Sequence, residues 1–407
     1  MKYFKNTELA KIYKVSEKSV RNWVQATLDG KLDLQLYEND GKSYIANTPT
    51  NATHIKRLVE KGKKYKNKRS YKVIEPSPEF YETYDTKQIF DIISSLTIYS
   101  EVPLQYSYVD NGATYWDKYT ERMATEESNM LVGTKQLLES RLGDIDYLIN
   151  GHKQVNVVDL GPGNGRMVQE LLSHLLETGR LNRYIAIDVS RKMLDIAEHH
   201  IKEWFGDRVK FEGHIRDFSH ERFDDLFAEA YEGDDENIPL NIAMLFGGTL
   251  CNMRLPSQSL QAINSSLGLN DLFLYGTKLD TPNSRRYFDF GFENKPRPLD
   301  FLFRVVIDKL NLKEPLYEIY QLFDQEKQGR FIYIKPTVDL SIEFKLAKGT
   351  RRVHLHKGEP ILLWRYWHQK TLDVINQFDQ TGFDLMQATK SNDQEYILLI
   401  SKIRTTN

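Results

Sequence analysis

At 407 residues and 47.7 kDa the chain exceeds one small module, and the usual size of domains predicts two or three of them. A 40% apolar and 12% aromatic content excludes wholesale disorder, and the single cysteine, Cys251, excludes a disulfide scaffold and any cysteine-based zinc motif. The net charge of -2 conceals a split: residues 1–72 carry 17 basic and 7 acidic side chains, whereas the other 335 residues carry 38 and 50. Such asymmetry predicts a basic nucleic-acid-binding segment joined to an acidic globular body, the alternative being a solvated arm without a partner. No apolar run reaches the roughly 18 residues of a membrane span, and MKYFKNTELA lacks the apolar stretch of a signal peptide. With one cysteine, a soluble cytoplasmic protein with no membrane partner is expected.

The basic segment comes first. Thr7 is placed to cap a short helix with Leu9, Ala10 and Ile12 facing inward. Ser16 is placed to cap a second, with Val20, Trp23 and Val24 as its apolar face. The stretch Glu8 to Trp23 resembles the helix-turn-helix of bacterial DNA-binding proteins, with Lys14 where that pattern often has glycine, so the turn must hold a side chain in a left-handed conformation. Leu34–Tyr37 and Tyr44–Ala46 flank an Asp40-Gly41 turn and predict a wing-like hairpin, and Thr53–Lys64 predicts a third, basic helix. Lys18, Arg21 and Asn22 fall opposite Val20 and Val24, and arginine and asparagine can pair with guanine and adenine edges, so double-stranded DNA is the expected partner. A module used only for protein contacts is the alternative. The charge run Lys61–Arg69, then Pro76 and Pro78, reads as helix end and linker over residues 61–78.

Further along, Val155, Val157 and Val158 predict a buried strand that runs into Gly161-Pro162-Gly163-Asn164-Gly165, with an apolar helix from Met167. Asp159 stands two residues before Gly161, placed to accept from a cationic or amine-bearing ligand. Tyr184–Asp188 predicts a second strand, ending in an acid 23 residues after Gly165 and suited to two ribose hydroxyls. Val209–Gly213 leads to Asp217 and Phe218, an acid for an adenine amino group beside a ring that can stack. Ile242–Phe246 and Asp271–Gly276 follow as the fourth and fifth strands. Strands alternating with helical runs predict an α/β, Rossmann-like doubly wound sheet with ligands at the carboxyl ends.

The ordered set resembles the class I methyltransferases that bind S-adenosylmethionine. That resemblance implies S-adenosylmethionine as cofactor, held by Asp159, Gly161, Pro162, Gly163, Gly165, Asp188, Asp217, Phe218 and Phe246. A nicotinamide-binding Rossmann domain would leave Asp159 and Asp217 without a role. The fourth strand continues Phe246-Gly-Gly-Thr-Leu-Cys-Asn252, with neither a Pro-Pro-aromatic clamp nor a Pro-Cys nucleophile, which disfavours methylation of a flipped DNA base. No metal-ligand cluster is expected, and His199 and His200 read as a solvated helix surface.

From about residue 80 onward the chain resembles the histidine-specific, S-adenosylmethionine-dependent methyltransferase family, whose best-known member trimethylates the α-amine of histidine. Phe246 to Asn252 is similar to its Phe-x-Gly-Ser-x-x-x-Asn motif, which implies that Asn252 contacts the acceptor. The resemblance also implies an antiparallel β insert, read at Tyr317–Phe323, Arg330–Lys335, Asp339–Lys345 and Arg351–His356. Gly358-Glu359-Pro360-Ile361 then leads to the last helix, and Gly382 to Ile400 forms a closing αβ unit. The expected domains are 1–72 (winged helix-turn-helix), 73–280 (cofactor-binding core with a helical cap) and 281–407 (insert and closing unit).

Two departures bear on the acceptor. Trp364 and Tyr366 stand where the family has a glutamate and a serine, and its Tyr-Tyr-x-x-Arg segment is replaced by one containing Tyr108 and Tyr115. With Asn252 these four are the expected catalytic wall. The expected activity is methyl transfer to a small or amino-acid-like acceptor other than free histidine. A ligand-sensing regulator and a nucleic-acid methyltransferase are the alternatives.

Overall fold

The computed structural model describes residues 3–30, 32–39, 41–64, 70–126, 129–231, 238–287 and 298–404. The chain divides into two compact units: Met1–Pro103, Ile307–Glu318 and Ile334–Leu362 make one, and Leu104–Val306, Ile319–Tyr333 and Leu363–Asn407 the other.

The second unit is organised by a seven-stranded sheet. Its strands are β1 (Val155–Leu160), β2 (Leu181–Asp188), β3 (Phe211–Ile215), β4 (Leu240–Leu245), β5 (Leu272–Lys278), β6 (Phe383–Lys390) and β7 (Tyr396–Ile403), in the order β6-β7-β5-β4-β1-β2-β3. β1 to β5 pair in parallel, and β7 is antiparallel to β5 and to β6. This mixed sheet is the class I methyltransferase-like α/β fold that the glycine loop and its acids predict. Every residue of β1, β4 and β5 is buried, as expected of central strands covered on both faces. Alternate residues serve opposite faces: Val155 and Val157 share a core with Leu171 and Leu172, and Val158 and Leu160 share one with Leu260 and Ile263.

The chain passes from β1 outward to β2 and β3, then returns to lay β4 on the other side of β1. That reversal leaves a crevice beyond the carboxyl ends of β1 and β4, where sheets of this kind take their ligands. The amino ends are closed instead by polar pairing. Asn182 Nδ2 donates to Asn156 Oδ1 at 2.7 Å, and Asn156 Nδ2 donates to Asn241 Oδ1 at 2.9 Å. Asn241 donates to Asp271 from its backbone at 2.9 Å and from its side chain at 3.0 Å.

In the first unit, helices Asn6–Tyr13, Glu17–Leu28 and Pro49–Lys64 and an antiparallel hairpin of Leu36–Asn39 with Lys42–Ile45 surround Leu9, Val20, Val24, Ile45 and Ile55. Ser16 Oγ caps the second helix, accepting from Ser19 N–H at 3.1 Å, and Lys14 is left-handed at φ 54°. The first helix starts at Asn6, before Thr7, because the Glu8 carboxylate accepts from Lys5 N–H at 3.0 Å and fixes the turn earlier. Ile12, expected inward, is 55% exposed: Leu9 and Tyr13, four apart, carry the inward stripe and Ile12 falls beside it. Asp40 of the expected turn and residues 65–69 of the charge run lie outside the described residues.

Two further expectations need correction. Lys72–Ile74, read as linker, is a strand paired in parallel with Leu340–Ile342, and Lys72 N–H donates to Asp339 O at 2.9 Å. A distant backbone partner, absent from any local pattern, decides its conformation. Likewise Gly358 to Ile361 leads not into a helix but into a strand, Ile361–Trp367, whose apolar and aromatic residues suit a sheet; helix Thr371–Gln380 comes after it. That strand lies in a three-stranded sheet with Gly329–Pro336 at its centre and Tyr317–Asp324 beyond, while Leu340–Leu346 and Gly349–Leu355 form an antiparallel hairpin. Among the described residues no helix is long and apolar enough to cross a membrane.

Asp271 completes the network at the amino ends, also accepting from Gly268 N–H at 2.7 Å. Asp271→Ala strands these buried donors and is expected to destabilise the protein by about 3 kcal/mol in urea denaturation; an unchanged midpoint would show that the network contributes nothing.

Candidate active site

The crevice is built from the turns that follow β1, β2, β3 and β4. After β1 the chain runs through Gly161, Pro162, Gly163, Asn164, Gly165 and Arg166. Gly163 has φ +56°, a backbone that favours glycine, and a Cβ there would stand 3.3 Å from Trp116 Nε1, a tight contact. The Phe218 ring lies 3.6 Å from where a Cβ on Gly161 would stand, with Thr249 at 3.8 Å. Folding therefore brings Phe218, from the turn after β3, against the loop after β1.

Asp159 and Asp188 sit on adjacent strands. Asp159 is buried, and its Oδ2 accepts from the Tyr184 hydroxyl at 2.9 Å. Burial pushes its carboxyl up to about 7 against that hydrogen bond, with the charge of Asp188 adding. Asp188 ends β2 and keeps part of its surface open; its Oδ1 accepts from Ser190 N–H at 2.8 Å. Burial pushes this carboxyl up to about 7 as well, against the Ser190 and Val189 N–H groups and with Asp217 adding. Asp217 itself accepts from Ser219 N–H at 3.0 Å, with His220 Nδ1 at 3.7 Å. The Phe246 side chain is 6% exposed and packs in the core, where it limits the space at Gly276.

Tyr108 meets Trp116 edge to face at 5.4 Å, and Trp116 stacks on Tyr119 at 5.4 Å. Burial drives the Tyr108 hydroxyl well above the ordinary phenol range, with the charge of Asp188 adding. Tyr115 points elsewhere: its hydroxyl donates to Asp300 Oδ2 at 2.8 Å and its ring lies 5.1 Å from Phe301.

Trp364 and Tyr366, two apart on one strand, share a face and stack at 5.9 Å. A Cβ on Gly248 would come within 3.0 Å of Tyr366 Cε2 and 3.7 Å of Asn252 Nδ2, so glycine keeps open the place where those two side chains converge. Asn252 follows on the short helix Thr249–Asn252, and its Oδ1 is buried with no hydrogen-bond partner among the described residues. Burial holds the Tyr366 phenol neutral, its ionisation pushed well above the ordinary value. The expected residues thus form two groups: the glycine loop with Tyr108, Asp188 and Phe218, and Asn252 with Trp364 and Tyr366.

Sequence reasoning missed several neighbours. Arg166 donates to both Glu121 oxygens at 2.6 Å, and Asn164 Nδ2 donates to Asp117 Oδ1 at 2.9 Å. His200, expected on a solvated surface, keeps 13% of its side-chain exposure, with Nε2 at 3.5 Å from Asp117 Oδ1. The one available signal was the four-residue spacing of Asp117 and Glu121, which puts both acids on one helix face.

A family model described as histidine-specific methyltransferase, SAM-dependent, matches residues 86–402. No curated protein matches the chain. Among solved structures it is similar to an S-adenosylmethionine-dependent methyltransferase from Clostridium acetobutylicum ATCC 824, at 12% identity over 72% of this chain and 98% of that one, with a TM-score of 0.35. It is also similar to the magnesium protoporphyrin IX methyltransferase of Synechocystis PCC 6803, at 13% identity over 74% and 98%, with a TM-score of 0.37.

An ionised carboxylate accepts from two hydroxyls more strongly than the neutral acid, and burial pushes the Asp188 carboxyl up to about 7. Protons therefore compete with the ligand below that pH, and affinity for S-adenosylmethionine should rise about tenfold from pH 6 to pH 8, with proton release on binding. Calorimetry in two buffers reads both quantities. Asp188→Asn should bind about 2 kcal/mol more weakly and lose the pH dependence; undiminished affinity in Asp188→Asn would exclude Asp188 as the acceptor.

Proposed function

The chain belongs to the histidine-specific, SAM-dependent methyltransferase family, matched over residues 86–402, and from that premise we propose that it methylates a small or amino-acid-like acceptor other than free histidine, held beside Asn252. S-adenosylmethionine is the cofactor, and it supplies a methyl group already activated on a sulfonium. The residues at the crevice suit it: a loop without side chains at Gly161, Gly163 and Gly165, an open carboxylate at Asp188, and an aromatic ring at Phe218. In this reading Asp188 takes the ribose hydroxyls, Phe218 and Asp217 flank the adenine, and Asp159, Pro162 and Phe246 shape the floor and loop.

The protein's own task is to bind, orient and exclude water. The observation that carries the acceptor reading is Asn252 Oδ1, a buried acceptor with no partner among the described residues. A nucleophile that donates one N–H or O–H to it would have its lone pair directed by that bond, and a buried polar atom left unpaired costs about 1–3 kcal/mol. Trp364 and Tyr366 present neutral aromatic surface beside it, able to face a cation but offering no carboxylate to an ammonium. Tyr108, which packs on Trp116 beside the glycine loop, completes the wall, and Tyr115 is turned to Asp300 instead.

By role the chain divides into a DNA-binding segment (1–72), the cofactor core (73–280) and the acceptor-side insert with its closing unit (281–407). DNA binding is supported by the helix Glu17–Leu28, which buries Val20 and Val24 and leaves Lys18, Arg21 and Asn22 exposed.

Transfer of labelled methyl to free histidine should be undetectable, because the partners for its ammonium and imidazole are replaced. Label should enter another small molecule of a cell extract and be lost with Asn252→Ala; histidine turnover near the ordinary enzymatic rate of about 1 s⁻¹ would overturn the reading.

Duplex DNA should bind the full chain with an affinity that falls steeply as salt rises, and Arg21→Ala should reduce discrimination among sequences. A salt-independent or absent mobility shift would leave the segment as a protein-contact module.

A further inference from the structure

The glycine loop carries two polar side chains that turn away from the ligand crevice. Asn164 is 2% exposed, and its Nδ2 reaches Asp117 Oδ1 at 2.9 Å and Glu121 Oε1 at 3.2 Å. Arg166 pairs fork to fork with Glu121, Nε to Oε1 and Nη2 to Oε2, both at 2.6 Å. Bidentate pairs of this kind fix orientation as well as distance. Arg166 also lies over the Trp204 ring at 5.5 Å, so the guanidinium is held from a second side. Its charge holds the Glu121 carboxyl below the ordinary range.

Both acids belong to helix Asn111–Met123 and lie on one of its faces. The same helix carries Tyr115 and Trp116, Trp116 Nε1 stands 3.3 Å from a Cβ built on Gly163, and Tyr108 packs against Trp116. One helix is thus tied by two polar links to the loop that takes the cofactor, and it carries the aromatic side of the crevice. Asp117, Glu121 and His200 also place possible ligand atoms within 4.8 Å of one another, a spacing that a cation could bridge. Those carboxylates, however, are already engaged by Asn164 and Arg166, which favours a clamp over a metal site.

We propose that Asn164 and Arg166 are positioning residues, which clamp helix Asn111–Met123 to the glycine loop so that filling the loop with S-adenosylmethionine orders the wall bearing Tyr108 and Trp116. This rests on the cofactor site described above. The clamp couples the two sides of the reaction: the wall that receives the acceptor is set in place when the methyl donor is bound. A loop held only by its own backbone would not transmit that information.

The test is a double-mutant cycle in the full chain with S-adenosylmethionine as the probe. Arg166→Met and Glu121→Gln should each raise the Kd about tenfold, and the double variant should be no weaker than either one, since both remove the same pair. Hydrogen exchange supplies the second readout. In the wild type, S-adenosylmethionine should protect residues 111–123. In Arg166→Met, saturated with the same ligand, that protection should be lost, whereas a merely structural role would leave it intact. A double variant about a hundredfold weaker, singles with unchanged Kd, or protection retained in Arg166→Met would each overturn the clamp. A wild type that does not bind S-adenosylmethionine would instead strike at the cofactor site itself.

Discussion

Two carboxylates on neighbouring parallel strands, both taken largely out of water, set the terms for the active site. Asp159 is next to last in β1 and Asp188 is the last residue of β2, and burial raises each to about 7. A buried carboxylate is tolerated only with donors around it. Asp159 finds one in the Tyr184 hydroxyl and stays closed. Among the described residues Asp188 finds backbone N–H groups from the turn that starts the next helix, and it keeps an open side. The sheet therefore meets its two ends differently: at the amino ends Asn156, Asn241 and Asp271 satisfy one another, while at the carboxyl ends Asp188 keeps an open side.

The same asymmetry extends to the segment after β4. Asn252 Oδ1 is buried without a partner among the described residues, and Gly248 keeps Tyr366 and Asn252 from being separated by a side chain. Around them the wall is aromatic and neutral. Methyl transfer from a sulfonium needs alignment and dryness more than a strong acid or base, which is what the proposed function asks of this wall.

How much of this the sequence disclosed follows from the range of each interaction. β1, its glycine loop and the acids at Asp159 and Asp188 were legible because apolar runs, left-handed turns and short spacings are local signals. So was the capping of the second helix by Ser16. Lys72–Ile74 was not, because its partner Leu340–Ile342 lies far along the chain and its own composition suggests a linker. Ile361–Trp367 was missed where a family pattern was followed in place of the β-forming residues themselves. Asn164, Arg166, Glu121 and His200 escaped notice because polar side chains look solvated in a sequence, and only folding shows that they face one another.

The proposed function requires the loop after β1 and the acid ending β2 to hold the methyl donor with its reactive end toward Asn252. A crystal structure of the complex with S-adenosylhomocysteine tests it most directly. The account predicts ribose hydroxyls on Asp188, the adenine beside Phe218 and the thioether sulfur on the Asn252 side of the loop. A ligand seated elsewhere, or a ribose bound without Asp188, would contradict it.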